Sequence, residues 1–392
     1  MSGSTLSEVP FLEKRYAGKD ARLRVAIVTN IPVPYREPVL EALSRTVDFE
    51  THVFFCSDRE PDREWRLPSS HYPRTVLRRS FLTVRGRFIH VNFDVIRALA
   101  RFDPHVIVTN GFNPTHLFAY AYSRWRGRTH VAMTDGTLES ERKLSYLHRA
   151  VRRIVYRGSR AFIGASHGSR RLYESYGISP DQIFRSVLCA DNNRFIPYAE
   201  SMKRFDLLFC GRLVEVKNPL FALEIARHAS KRLGRRTSIL FIGSGPLEVS
   251  LRNAAARQSD ADVSICGFVQ HDELPRLYGQ ARIFLFPSQW DPWGVVANEA
   301  AAAGLPVVIS QHAGAAHELI IDGRNGYVLP LDAGLWTDAI TKLLTDDKLY
   351  DQMSRAARVA VTEYTFASAA SGIASAVRAA SPEPSFPVQV NS

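Results

Sequence analysis

The chain has 392 residues, room for roughly two to three domains of about 150 residues each, and 45% hydrophobic, 23% charged residues mark it as globular. A small disulfide-stapled scaffold, a fibre and a disordered chain are thereby excluded. The formal charge of +11 is unevenly spread: residues 1–198 carry 31 Lys and Arg against 19 Asp and Glu, whereas residues 199–392 carry 19 against 20. A field this lopsided predicts that the first half faces something anionic: a membrane leaflet, a phosphorylated substrate or a nucleic acid.

No apolar run reaches the ~18 residues of a membrane-crossing helix, and the opening MSGSTLSEVPFLEKRYAGKD is polar where a secretory leader needs an apolar stretch. A cytoplasmic protein is the expectation. Cys56, Cys189, Cys210 and Cys266 form no paired spacing and read as reduced, buried thiols.

In chain order, residues 1–21 lack periodicity and read as a disordered tail. Apolar, β-branched runs then alternate with segments of helical period, the pattern of parallel α/β units. One set of strands is predicted at 23–30, 51–56, 105–109, 129–134 and 161–165, and a second at 205–210, 237–242, 263–266, 282–287, 306–310 and 326–329. Two doubly wound domains follow, 22–198 and 199–364, with a small-residue helix over 365–380 and a second disordered tail over 381–392. Ligands of such sheets bind beyond the carboxyl ends of the strands, so the loops there are the candidates for chemistry.

After the first strand of the second set, GRLVEVKNP places Gly211, Arg212 and Lys217 before a helix starting at Pro219. The two cations suit a diphosphate, the arginine through forked donors and the lysine as a point charge; solvated surface cations are the alternative. Gly243 and Gly245 in FIGSGP make a turn that lets a ligand approach the backbone, or simply an ordinary strand-to-helix turn. In FLFPSQWDPWGVVANEAAAAGLPVV a helix is expected to begin around Trp293 and Gly294, its free amides seating phosphate oxygens. Asp291 before Pro292 reads as a helix N-cap. Glu299, further inside the helix, is placed either to accept ribose hydroxyls or on the solvent face.

These segments, in this order and followed by GRNGYVLP, resemble the C-terminal half of the family 4 retaining glycosyltransferases from about Phe205 to Tyr364. The resemblance implies the GT-B fold, two Rossmann-like domains across a cleft, with a nucleoside-diphosphate sugar in the second and an acceptor hydroxyl in the first. The last helix would cross back to the first domain. It further implies that Arg212 and Lys217 meet the leaving diphosphate, that Trp293, Gly294 and Val295 seat it, that Glu299 holds the ribose and that Phe268 lies near the base. Asp291 stands where a glutamate usually contacts the donor sugar, and Pro292 where glycine is usual. The implied reaction needs no obligatory cofactor or divalent metal. A sugar-nucleotide epimerase or hydrolase on the same fold is the alternative enzyme, and a basic nucleic-acid-binding protein the alternative of another class; the chain lacks recognisable nucleic-acid motifs, so no nucleic-acid partner is expected.

In the first half, Asn30, Tyr35 and Arg36 follow the first strand, and His116 and Asp135 follow later ones, all candidates for the acceptor. Caps and turns also explain Asp135, and a structural role also explains His116. The segment 141–160 places Leu144, Leu147, Val151, Ile154 and Val155 on one stripe among arginines. It reads either as a helix packed on the sheet or as a surface for an anionic membrane and a lipid-linked acceptor.

Overall fold

The computed structural model describes residues 22–381 apart from 62, 63, 68, 85, 86, 143, 258 and 259. The tails expected at 1–21 and 381–392 lie outside the described residues, Ser381 excepted. The first domain carries strands β1 (Leu23–Thr29), β2 (Phe49–Phe55), β3 (Arg74–Val76), β4 (Phe81–Val84), β5 (Arg87–His90), β6 (Val106–Asn110), β7 (Thr129–Thr134), β8 (Ala161–Gly164) and β9 (Ile183–Arg185). Between them run α1 (Glu37–Ser44), α2 (Asp94–Phe102), α3 (Pro114–Trp125), α4 (Leu138–Arg142), α5 (Tyr146–Arg157) and α6 (His167–Ser175). The second domain carries β10 (Phe205–Cys210), β11 (Thr237–Ile242), β12 (Ala261–Ile265), β13 (Ala281–Phe286), β14 (Val307–Ser310) and β15 (Gly326–Leu329). Its helices are α7 (Pro219–Leu233), α8 (Glu248–Arg257), α9 (Leu274–Gly279), α10 (Val295–Ala302), α11 (Ala333–Thr345) and α12 (Asp347–Ala360), and α13 (Phe366–Ala380) follows.

Two parallel sheets result, a seven-stranded one in the order β3-β2-β1-β6-β7-β8-β9 and a six-stranded one in the order β12-β11-β10-β13-β14-β15. The near-continuous apolar strands are explained by cover on both faces. Along β1, Val25 and Ile27 pack with Val39, Leu40 and Leu43 of α1 and Ile373 of α13. The alternate residues Ala26 and Val28 pack with Val95 and Leu99 of α2 and Tyr122 of α3. In each sheet the strand order reverses once, between β1 and β6 and between β10 and β13. These switch points open crevices at the strands' carboxyl ends, where the candidate residues lie.

The sequence did not signal β3, β9 or the β4–β5 hairpin. β3 and β9 have three residues each, too few for a period, and β4 is largely exposed. Cys56 and Cys189 are buried as expected, but Cys266 is exposed, because it follows edge strand β12 on the way into a loop.

Helix α13 packs on α1, β7, β8 and β9, back in the first domain. Its N-terminus is fixed by a capping box in which the Thr365 side chain accepts from Ser368 N at 3.1 Å and the Ser368 hydroxyl accepts from Thr365 N at 3.2 Å. Thr365→Ala should therefore lower the unfolding free energy by about 1 kcal/mol, read by urea denaturation, and Thr365→Ser should restore most of it.

Candidate active site

The second switch point is bridged by one carboxylate. After β10, Glu215–Lys217 form a short 3-10 turn, and Asn218, with φ 58°, swings the chain into α7. The Lys217 ammonium is thereby brought to Asp291 Oδ2, 74 residues later, in a close ion pair. Asp291 Oδ1 accepts the Trp293 amide at 3.1 Å, and Gln289 N donates to Val216 O at 2.8 Å, so both loops are tied together. The Asp291 residue is only 9% exposed, and each of its oxygens already has a partner.

This geometry moves the expected helix start. Helix α10 begins at Val295 with Gly294 as its N-cap, so Asp291 caps the preceding turn rather than the helix. Trp293 is not a donor-facing group: its amide is taken by Asp291, and its ring is 1% exposed. That ring stacks on Tyr364 at 5.6 Å and donates through Nε1 to Asn298 Oδ1 at 2.8 Å. The amide seat thus shifts to Val295 and Val296, first-turn residues whose N–H groups have no intrahelical acceptor. Gly294 has φ 94°, and a Cβ there would lie 2.2 Å from the Phe286 ring, so no other residue fits the turn.

Glu299 is in α10 but not on a solvent face. At 5% exposure it accepts the Tyr278 hydroxyl at 2.7 Å, and its Oε1 lies 3.8 Å from His271 Nε2. Burial disfavours the ionised form and pushes its carboxyl up to about 7. Burial also lowers the pKa of the neighbouring His271 ring from the usual histidine value.

Gly243 and Gly245 serve the chain's own packing. Cβ atoms there would fall 1.9 Å from Gly211 O and 2.5 Å from Leu213 O, so the approaching backbone is the adjacent loop. Gly243 N donates to Gly267 O at 2.7 Å, which aligns the loops after β10, β11 and β12 side by side. Arg212 lies exposed on the first of these and Phe268 half-buried on the third.

In the first domain, Asn113 Nδ2 donates to Asn30 Oδ1 at 2.9 Å across the β1–β6 switch point. Arg36 Nη2 donates to both oxygens of Asp135, at 2.6 and 2.7 Å, joining the loops after β1 and β7. Tyr35 packs half-buried against the core. His116 departs from the expectation of an acceptor contact: it is 1% exposed, and its ring packs against Gly111. Neither ring nitrogen has a hydrogen-bond partner among the described residues, and burial drives it down to about 3, so it is neutral.

The stripe on α5 divides. Val155 is buried, Val151 and, ahead of the helix, Leu144 are half-buried, but Leu147 and Ile154 are 71% and 62% exposed. Tyr278, Asn298, His271 and Tyr364 were not singled out beforehand. Each acts through a partner brought close only by the fold, such as Tyr278 on Glu299 and Asn298 on Leu188 O at 3.3 Å.

Two doubly wound domains with aligned polar loops at their switch points agree with the GT-B architecture that the sequence resemblance implies. Residues 192–360 match the family described as Glycosyl transferases group 1, and residues 39–185 match Glycosyltransferase Family 4. The chain is 26% identical over 282 residues to an alpha-D-kanosaminyltransferase of Streptomyces kanamyceticus, covering 68% of this chain and 67% of that protein. It is 30% identical to a D-inositol 3-phosphate glycosyltransferase of Pseudarthrobacter chlorophenolicus, covering 53% of this chain and about half (52%) of that protein. Anabaena HepE in complex with UDP and glucose superposes with a TM-score of 0.69 over 91% of this chain and 100% of its own, at 17% identity. A sucrose-phosphate synthase from Thermosynechococcus elongatus gives 0.69 over 91% and 98%, at 16% identity. The chain belongs to the group 1, family 4 glycosyltransferases of the GT-B fold and is a sugar-transferring enzyme.

A carboxyl raised to about 7 binds a proton in the folded chain that the unfolded chain releases near its ordinary value of 4.5. Stability from this group is therefore lost as pH rises through that window. Glu299→Gln removes the ionisation, so its melting temperature should gain on the wild type between about pH 5 and about pH 8. A constant difference across that range would reject a buried, raised carboxyl.

Proposed function

We propose that the enzyme transfers a sugar from a nucleoside diphosphate to a hydroxyl group with retention at the anomeric carbon. The observation that carries this reading is the bracket of Lys217, Asp291 and the Trp293 amide, which fixes the turn leading into α10 at the carboxyl end of β13, with Glu299 buried further along the helix. The names of the relatives and the UDP found with HepE support a nucleotide-sugar donor.

Cleavage of the bond from anomeric carbon to phosphate oxygen builds negative charge on the diphosphate and positive charge on the sugar ring. Arg212, Lys217 and the Val295 and Val296 amides stabilise the first, a preorganised arrangement that makes a divalent metal unnecessary. Glu299 accepts the ribose hydroxyls, which favours its ionised form. Asp291 acts by holding Lys217 and the turn in place. Front-face attack lets the departing phosphate oxygen take the acceptor's proton, so the bond to the acceptor oxygen forms on the face the diphosphate leaves. The acceptor lies toward the first domain, beside Asn30, Tyr35 and the Arg36–Asp135 pair.

A thermal-shift and turnover screen against nucleotide sugars tests this reading. One donor should give a product of unchanged anomeric configuration, with turnover persisting in EDTA. Glu299→Ala and Arg212→Ala should each lower transfer at least about tenfold, roughly 1.4 kcal/mol of barrier. Consumption of the donor with no acceptor present would point instead to an epimerase or hydrolase.

Among the described residues, no helix is long and apolar enough to cross a membrane. Peripheral binding to an anionic leaflet, with a lipid-linked acceptor, is supported by α5. Tyr146, Leu147 and Ile154 are exposed at 84%, 71% and 62%, on one outward arc with exposed Arg149, Arg153 and Arg157. Apolar side chains rimmed by arginine suit a surface of acidic headgroups. The protein should float with phosphatidylglycerol vesicles and not with phosphatidylcholine ones, and Ile154→Glu should abolish flotation. Wild-type protein that stays in solution with both would remove the membrane from the proposal.

A further inference from the structure

Between β2 and β3 the chain makes an excursion whose described residues, 57–61, 64–67 and 69–71, run from one domain to the other. Its roots are buried in the first domain. Glu60 Oε1 and His90 Nε2 are hydrogen-bonded at 3.0 Å, with His90 fully buried. At the other root, Tyr72 Oη at 2.7 Å, Arg74 Nη1 at 3.3 Å and the Ser70 hydroxyl all donate to Glu37, which is 2% exposed. His71 N donates to Glu41 Oε2 at 2.9 Å.

The tip reaches the second domain. Ser244 Oγ donates to Glu64 Oε1 at 2.7 Å. The Gln270 side-chain amide closes on the two peptide groups that flank Trp65, accepting from Arg66 N at 3.0 Å and donating to Glu64 O at 3.3 Å. Ser244 belongs to the glycine loop after β11, and Gln270 adjoins His271, the neighbour of Glu299. Half-buried Trp65 is thus pinned between the loops that follow β11 and β12.

We propose that residues 64–66 form a wall of the donor site contributed by the first domain, with Trp65 flanking the nucleoside and the Ser244 and Gln270 contacts keeping that wall in place. The inference rests on the reading that Glu299 and the α10 amides hold a nucleoside diphosphate. Charge argues for the nucleoside end: the Glu64 carboxylate would oppose a diphosphate but is compatible with the hydroxyls and N–H groups of a ribose and base. An indole offers a large rigid face for a planar base at small entropic cost. The tip bonds are exposed and exchange readily with water, whereas one bond at each root, Glu60–His90 and Tyr72–Glu37, is buried, so the tip lets go for nucleotide release while the roots stay fixed.

The test uses the full chain with UDP, GDP, ADP and TDP in turn. For whichever binds, amides of residues 64–67 should exchange with deuterium more slowly in its presence, a measurement that needs no variant. Trp65→Ala and Gln270→Ala should each weaken its Kd about tenfold, while kcat at saturating donor changes far less and the melting temperature without ligand is unchanged. If a nucleotide binds and Arg212→Ala weakens it, yet both variants bind like the wild type and exchange at 64–67 does not respond, the wall is wrong and the donor reading stands. If none of the four binds the wild type, the donor reading falls and the wall with it.

Discussion

Asp291 is the constraint on which the second domain's ligand face depends. One oxygen holds the ammonium of Lys217 from the loop after β10, and the other holds the Trp293 amide from the turn after β13. Those loops lie on opposite sides of the point where the strand order reverses. Joining them there sets the entry angle of α10 and, with it, the direction of its free amides and the depth of Glu299. A nearly buried carboxylate is costly unless its oxygens are satisfied, and here a cation and an amide satisfy both. The result is a fixed arrangement of the two loops, the kind of preorganisation that the proposed diphosphate chemistry calls for.

The same turn connects the domains. The Trp293 ring stacks on Tyr364, whose hydroxyl accepts from Arg185 of β9 at 2.8 Å, and Arg185 also pairs with Glu318 at 3.0 Å. Glu318 takes the His167 amide at the start of α6 at 2.8 Å as well. With Asn298 reaching Leu188 O, α10 itself is bound to the first domain. Domain arrangement and site geometry are therefore set by one continuous set of contacts, with core packing from Val187 to Phe195 running between them.

Electrostatics divides the two halves of the cleft. In the second domain, Lys217 and Asp291 are paired across two loops, and the Glu299 carboxyl is lifted toward neutrality by burial. In the first domain, the Arg36–Asp135 pair closes the loops after β1 and β7, and the neutral His116 beneath Gly111 adds no charge. Part of the surplus of arginine indicated by composition emerges on the outward arc of α5, at Arg149, Arg153 and Arg157.

The two parallel sheets were legible because each buried strand is a run of apolar residues, a signal that depends only on local order. The loops that bear chemistry were legible for the same reason, since they come directly after those runs. What local order does not encode is the approach of residues distant in the chain. Lys217 and Asp291, Tyr278 and Glu299, Arg36 and Asp135, and Gln270 and Arg66 meet across 74, 21, 99 and 204 positions. Such meetings decided that Trp293 is core and not ligand-facing, that Gly243 yields to a neighbouring loop, and that Glu299 is buried. Sequence determined the long apolar strands of both sheets and the residue types in the loops after them, through hydrophobic periodicity and backbone preference, but not the short strands β3 and β9 or the β4–β5 hairpin. Tertiary structure alone decided which of those residues face the cleft, because burial and hydrogen-bond partners are properties of the packed chain.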